Sequence, residues 1–344
     1  MTAPIVAAYS GAAHGAAAIP RLVQQYGGEV VAVILDLGQG DDLEEVHARA
    51  LAAGAARAHV LDVREAFVRE FVLPALHAGA RADGDDALAI ALGRPLVARS
   101  LVEIARIEGA AAVAHGCTGA DRARLDLAIG ALGPDLRVLP PLPEGAAASL
   151  PRVRSTLWGR VVEYDADTPP ESSFAWTQAP ARAPGTPAHV EIRFEAGVPV
   201  TINAVPLPLT ELVESLSIIA GQHGIGRVAP GGGDRSAGVR RMYEVPAAVV
   251  LQAAHEALET GAAGPELARL KRQVNAEYAR LVCAGQWFSL MRESLDAFNA
   301  VLQKQVTGSV QIRLLKGEHT ILGCRRSNPA AYAPAAASAA MPPS

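Results

Sequence analysis

Ala7-Ala8-Tyr9-Ser10-Gly11-Ala12-Ala13-His14-Gly15-Ala16 decides the reading of the first half of the chain. It follows an apolar run, Ile5 to Tyr9, and precedes an Ala-rich segment, Gly15 to Tyr26, that reads as a helix holding Pro20 near its start. A strand, a turn of small residues and a helix is how an α/β domain aims backbone N–H groups at phosphate. Alone, such a turn is a weak signal, because a turn that merely needs small residues looks the same. The neighbouring segments repeat the pattern. Val30–Leu35 is continuously apolar and partly β-branched, as expected of a parallel strand buried on both faces. Asp36-Leu37-Gly38-Gln39-Gly40 then turns into a charged helix, Asp41 to Ala53. Ala58–Leu61 reads as a third strand. Val63 to His77 reads as an amphipathic helix with Phe67, Phe71 and Leu76 near one face. Arg94 to Glu108 is a further helix, Ala111–Ala114 a fourth strand ending in His115-Gly116-Cys117-Thr118-Gly119, and Leu136–Leu139 a candidate fifth. Strands alternating with helices imply a parallel sheet with right-handed crossovers. Ligands of such sheets sit at the carboxyl ends of the strands, where the turns after Tyr9, Leu35 and Ala114 all fall.

From Pro140 the pattern changes. Residues 141–155 read as a Pro/Gly/Ala-rich linker between a domain at 1–140 and a second at 156–330. In the second, His189–Phe194 and Pro199–Asn203 alternate around Glu195-Ala196-Gly197-Val198, a hairpin pattern. Leu209 to Ala220, Val249 to Thr260, Pro265 to Cys283 and Ser289 to Val306 read as helices, and Gly224 to Gly238 is glycine-rich. Val310–Leu315 and His319–Gly323 form a closing hairpin, so this half is α+β. The Ala/Pro tail, 331–344, has a disordered composition.

Composition narrows the partners. A chain of 344 residues with 50% hydrophobic positions can bury two cores. Its formal net charge of −4 gives no reason to expect nucleic acid or an anionic membrane. No apolar run approaches the ~20 residues of a membrane span. The N-terminus enters a strand at once, without the basic flank and apolar core of a signal peptide. Cys117, Cys283 and Cys324 lie far apart, without ligand spacing, which fits free thiols in a reduced cytoplasmic compartment.

Several stretches together carry a resemblance. Ser10-Gly11 opens a loop similar to the phosphate loop Ser-Gly-Gly-x-Asp-Ser of ATP-dependent synthetases of the pyrophosphatase type. Ala8-Tyr9-Ser10-Gly11, Leu35-Asp36-Leu37-Gly38-Gln39-Gly40, Gly93-Arg94-Pro95-Leu96-Val97-Ala98, His115-Gly116-Cys117-Thr118-Gly119, Leu157-Trp158-Gly159-Arg160, Gly224-Ile225-Gly226-Arg227 and Val306-Thr307-Gly308 follow one another as in argininosuccinate synthases, over about residues 4 to 332. The chain resembles that family. The resemblance implies an α/β fold: a parallel-sheet nucleotide-binding domain of the adenine nucleotide α-hydrolase type, then an α+β synthetase domain. It implies an ATP- and Mg²⁺-dependent ligase. In the family, the ureido oxygen of citrulline attacks the α-phosphate of ATP, pyrophosphate leaves, and the amine of aspartate displaces AMP. That chemistry needs donors and metal around the phosphates and two clamped amino acids.

Position by position, Tyr9, Ser10, Gly11 and Gly116 match nucleotide-contacting positions. Thr118 and Asp121 match aspartate-binding positions, and Arg124 and Tyr243 match the citrulline pocket. Other positions depart from the family. Its second loop glycine is Ala12, its loop Asp is His14, and the hydroxyl residues after it are Gly15 and Ala16. Gly119-Ala120-Asp121 is two residues short of the family's Gly-Lys-Gly-Asn-Asp. Ala82, Asp85, Asp86, Ile90 and Ala91 replace Tyr and hydroxyl residues, Gly233 stands for a Glu, and a Lys-Ser pair is missing between Val239 and Arg240. The family's C-terminal arm gives way to the Ala/Pro tail, which makes the family's tetramer doubtful and leaves a homodimer, a monomer or association with an intact synthetase as the expectations. These departures make turnover of citrulline and aspartate doubtful and leave open a non-catalytic relative or a different acceptor.

Bland readings stand beside the sharp ones. His14 is an anion contact or a solvated turn residue. His115 is functional or a satisfied structural histidine, and Cys117 reads as structural. Asp36, Gln39 and Asp41 touch nucleotide or metal, or Asp41 and Asp42 only favour a helix start. Trp158, Trp287 and Phe288 read as core, and Arg240-Arg241 and Arg325-Arg326 as solvated surface.

Overall fold

The computed structural model describes residues 3–11, 15–81, 88–117, 119–140, 155–164, 168–229 and 240–327. Ala12, His14, Ala82, Asp85, Asp86, Thr118, Gly233, Val239, most of the linker and the 331–344 tail lie outside the described residues. The first half is β1 (Ile5–Ala8), α1 (Gly15–Tyr26), β2 (Val30–Asp36), α2 (Leu43–Ala52), β3 (Arg57–Asp62), α3 (Arg64–Phe67), α4 (Leu73–His77), α5 (Leu88–Ala91), α6 (Gly93–Ile107), β4 (Ala112–Ala114), α7 (Gly119–Leu132) and β5 (Arg137–Val138). A π-helical turn, Val68–Val72, joins α3 to α4, so the 64–77 helix is one run with a local widening. α1 passes through Pro20 without a break.

The strands form one sheet in the order β3-β2-β1-β4-β5, parallel throughout. Side chains alternate across it. Ile5, Ala7, Val30, Ala32 and Ile34 meet Ile19 and Leu22 of α1 and Val46 and Ala50 of α2. Val6, Ala8, Val31, Val33 and Val113 meet Leu101 and Val102 of α6 and Leu125 and Ile129 of α7. Burial on both faces explains the unbroken apolar run of β2. The strand order reverses at β1, which has β2 on one side and β4 on the other, and this makes a crevice at the carboxyl ends of β1 and β4.

The second half continues as β6 (Ser155–Thr156), β7 (Gly159–Tyr164), β8 (Ala188–Glu195), β9 (Val198–Ile202), β10 (Val205–Pro206), α8 (Leu209–Gln222), β11 (Arg227–Val228), β12 (Arg240–Glu244), α9 (Pro246–Cys283), α10 (Leu290–Gln303), β13 (Gly308–Leu315) and β14 (Glu318–Arg326). Both expected hairpins form. They close on Ala196-Gly197 and Lys316-Gly317, all four with positive φ, as tight hairpin turns need. The sheet β10-β9-β8-β13-β14 is antiparallel. A second antiparallel sheet, β11-β12-β7-β6, was not expected from the sequence. The two helices expected on either side of residue 264 both form: the Pro246–Cys283 run is broken at Gly264 (φ 68°, ψ 164°), which is not helical, just before Pro265.

One core is common to both halves. Phe67, Phe71, Leu76, Leu92 and Leu96 pack in the same cluster as Trp158, Phe194, Leu216, Leu251, Tyr278, Trp287 and Ile312. Trp158 and Trp287 are buried as expected, and Phe288 is half-buried. Arg325 is exposed, but Arg241 departs from the expected solvated surface. It is half-buried and pairs at 3.5 Å with Glu163 on the neighbouring strand. No helix among the described residues is long and apolar enough to cross a membrane.

Candidate functional site

The turn after β1 is held from both sides. Tyr9 N donates to Val33 O at 2.9 Å, extending the ladder one residue past the strand. The Tyr9 ring is buried in the α1/α2 core, its hydroxyl has no hydrogen-bond partner among the described residues, and burial raises its pKa against the opposing charge of Arg49. Any contact of Tyr9 with a ligand therefore falls to its backbone. Ser10 is half-buried. Gly11 has φ +75°, and a Cβ there would lie 2.7 Å from Val46 of α2, so conformation and space both demand glycine.

The turn after β2 consumes its own polar groups. Gln39 Oε1 accepts from Leu37 N and its Nε2 donates to Leu35 O, both at 2.6 Å. Asp36 Oδ1 accepts from Gly38 N at 2.8 Å, and Oδ2 lies 3.3 Å from Arg64 Nε. Asp42 caps α2 by accepting from Glu44 N and Glu45 N at 3.1 Å. Asp36, Gln39 and Asp42 thus hold turn and helix, while Asp41 is exposed beside them. Leu157 seals this turn from the second half, with Leu157 N donating to Leu37 O at 2.7 Å. A Cβ on Gly38 (φ +81°) would lie 2.3 Å from the Leu157 side chain.

The turn after β4 starts at His115, which is buried and bonded through Nε2 to Asp126 Oδ1 at 2.7 Å. Arg122 Nε donates to Asp126 Oδ2 at 3.0 Å, one helical turn away on α7. Burial lowers the His115 pKa, and Asp126 opposes the shift. Gly116 is buried, and Cys117 is half-buried against the α6/α7 core, in line with a structural role. Asp121 Oδ1 then receives Arg94 Nη2 at 2.8 Å and Arg124 Nη1 at 3.3 Å. Arg94 is almost completely buried at the start of α6. Gly285, just past α9, packs on the Arg124 backbone: a Cβ there would lie 2.7 Å from Arg124 O.

Of the residues marked in the sequence, Asp121 and Arg124 are therefore in one network. Tyr9, Ser10, Gly11 and Gly116 follow adjacent strands, paired as Ala7↔Ala114. Tyr243 belongs to another layer, buried on β12 opposite Val161 and Val228. Thr118 lies outside the described residues. Arg94 stood in the sequence only as part of an Arg-Pro motif; its isolation in an otherwise apolar helix start was the available signal. Among the described residues, no group of three or more His, Cys, Asp or Glu side chains could hold a metal ion.

A five-stranded parallel sheet of this order, with small-residue turns over its crevice and an appended α+β half, defines a HUP-type nucleotide-binding domain (adenine nucleotide α-hydrolase-like) joined to a synthetase-type domain. Residues 4–153 match the arginosuccinate synthase N-terminal HUP domain, and residues 153–342 match the arginosuccinate synthase C-terminal domain. The chain is 42% identical to argininosuccinate synthase of Gloeobacter violaceus over 349 residues, covering 93% of this chain and 87% of that protein. It is 41% identical to that of Synechococcus sp. (strain RCC307), covering 96% and 88%, and 38% identical to that of Dictyoglomus turgidum, covering 93% and 87%. The chain belongs to the argininosuccinate synthase family.

Proposed function

We propose that this protein is a cytoplasmic ATP-dependent C–N ligase of the argininosuccinate synthase type, with low turnover of the family's citrulline and aspartate. The observation that supports this best is the crevice over β1 and β4. Gly11 and Gly116 follow the two strands that flank it, and the arginine-bearing start of α7 comes after the second turn. In this reading Tyr9, Ser10, Gly11 and Gly116 take the nucleotide through the backbone and the Ser10 hydroxyl. Thr118 and Asp121 receive the amine-bearing substrate, and Arg124 and Tyr243 line the acceptor pocket. Mg²⁺ arrives on the triphosphate, which suits an ion that keeps its waters and takes few protein carboxylates. The ureido oxygen attacks the α-phosphorus as pyrophosphate leaves; the aspartate amine then attacks the activated carbon and AMP leaves. Donors at the phosphates stabilise the first charge build-up, and fixing both amino acids makes the second attack effectively intramolecular.

Reduced turnover follows from Ala12, His14, Gly15 and Ala16 in the phosphate loop. Each lost donor to developing charge costs on the order of 10²–10³ in rate, and such losses do not simply multiply. The domain limits 1–140 and 156–330 and a homodimer belong to the same proposal.

One observation favours a second reading, a non-catalytic relative that binds a partner such as an intact synthetase. Arg94 and Arg124 both pair with Asp121 within the chain, so part of the guanidinium charge a substrate carboxylate would use is already engaged. Calorimetric titration with MgATP, with and without aspartate, separates the two readings. The ligase reading expects a Kd at or below ~100 μM, about −5.5 kcal/mol, followed by slow citrulline-dependent pyrophosphate release that Arg124→Ala lowers at least tenfold. No heat and no thermal shift at millimolar ATP, from folded protein, would overturn it in favour of the partner reading.

A further inference from the structure

A second concentration of buried charge lies where α4 ends against α9 and α10. The last turn of α4 leaves the His77 carbonyl without a helical partner. Lys271 Nζ fills that role, donating to His77 O at 2.7 Å and to Asn275 Oδ1 at 2.9 Å, and Gln303 Nε2 reaches the same carbonyl at 3.3 Å. Glu259 balances the lysine at 3.6 Å and accepts from Gln303 Nε2 at 2.8 Å. Glu259 is 7% exposed and Lys271 4%. Because Gln303 spends its amide N–H groups on Glu259 and His77, its Oε1 is the acceptor for His255, 2.7 Å away. The proton is thereby assigned to His255 Nε2, and Nδ1 is left as an acceptor.

Capping α4 accounts for Lys271 and Gln303. It does not account for the rest of Glu259. Both protein contacts of that carboxylate fall on Oε1; Oε2 has no partner among the described residues. Glu259 lines an open pocket of about 340 Å³, with His255 beside it and Gln252, Glu256, Arg81 and Arg272 around it. Arg81 is paired with Glu256, while Arg272 is exposed and forms no ion pair among the described residues. Glu259 Oε2 is not cut off from solvent, and a cationic donor arriving through the pocket supplies a stronger bond than water does. An anionic ligand would meet Glu256 and Glu259, and a purely cationic one would meet Arg81 and Arg272. A molecule carrying both charges satisfies the two ends, and the volume suits a small metabolite.

We propose that this pocket binds a small zwitterion, its ammonium or guanidinium group on Glu259 Oε2 and its carboxylate at Arg272. The site shares no named residue with the Arg94–Asp121–Arg124 network, and the proposal does not depend on the ligase reading. Burial raises the Glu259 carboxyl and lowers the Lys271 ammonium, and a ligand cation at Oε2 reverses the first of these shifts.

The test is calorimetry on the intact chain with glycine, β-alanine, γ-aminobutyrate and arginine as probes, and with butylamine and butyrate as single-charge controls. At least one zwitterion is expected to bind with a Kd of millimolar or better, at least tenfold tighter than either control. Arg272→Ala, on an exposed side chain that leaves folding intact, weakens it at least fivefold. Glu259→Gln, which keeps the contact with Gln303, abolishes it. Arg124→Ala leaves it unchanged. No zwitterion binding at 20 mM, equal binding by Arg272→Ala, or loss of binding in Arg124→Ala would each overturn the assignment. Should Glu259→Gln fail to fold, Arg272→Glu decides, since charge reversal at the rim is then expected to abolish binding.

Discussion

Glu244 on β12 and Glu259 on α9 are both carboxylates taken out of water, and their surroundings differ in how much of each is used. Glu244 accepts from Arg160, from three successive backbone N–H groups at Ala175, Trp176 and Thr177, and from the Thr177 hydroxyl. Both of its oxygens are engaged, and it is 0% exposed. It ties an irregular segment to the sheet, alongside Arg227 of β11, which donates to Thr177 O and Oγ1. Glu259 has one oxygen engaged and one facing a pocket. The lesson is that burial of a charge does not by itself mark a ligand site. What marks it is the acceptor capacity left after the protein's own donors are counted.

The largest effect that would break this contrast is at Glu244. Glu244→Ala strands Arg160 and the 175–177 amides, and should lower stability by about 3–5 kcal/mol in urea unfolding. A loss below ~1 kcal/mol would mean that the latch is ornamental. Acid comes next, and it strikes the other cluster. Burial holds His77 down to about 4 and His255 to about 3, so both are neutral when folded. Unfolded, each takes up a proton near 6.5, so the unfolded state binds more protons below that pH and stability falls as pH drops toward 4. One such histidine contributes about 3 kcal/mol over the window; His255→Gln should flatten the pH 4–6.5 slope of stability measured by denaturant unfolding. An exposed carboxylate calibrates the pair. Asp42→Ala removes the α2 cap in water, and thermal or urea unfolding should register only ~1 kcal/mol.

The parallel sheet was legible because its evidence is local. Val30 to Ile34 is apolar without interruption only if both faces are covered, and Gly-containing turns punctuate each strand end. The β7–β12 sheet was not legible. Its strands lie about eighty positions apart, and Arg160, Glu163, Arg241 and Glu244 mask the alternation with charges that pair across the ladder. The buried charges failed for the same reason. Glu259 and Lys271 sit twelve residues apart on either side of the break at Gly264, and their partners come from His77 and Gln303. At the candidate site, Asp121 and Arg124 were legible through a motif. The self-sufficiency of Asp36 and Gln39 was not, since a side chain that bonds its own turn and one that waits for a ligand have the same spelling.

The common core and the Leu37–Leu157 hydrogen bond carry a consequence for how this protein can be divided. Helices at 64–77 and 88–97 come from the first half of the chain, yet they close the hydrophobic interior of the second. The natural-looking cut in the Pro/Gly/Ala-rich stretch would thus run through a single interior. The parallel sheet keeps its own packing on both faces, but separating the halves would bare Phe67, Phe71 and Leu92 on one side and Trp158, Phe194 and Leu251 on the other. The two are complementary pieces that must be made together, and a chimera that exchanges one of them inherits the obligation to match Phe67, Phe71 and Leu92 to the face they fill.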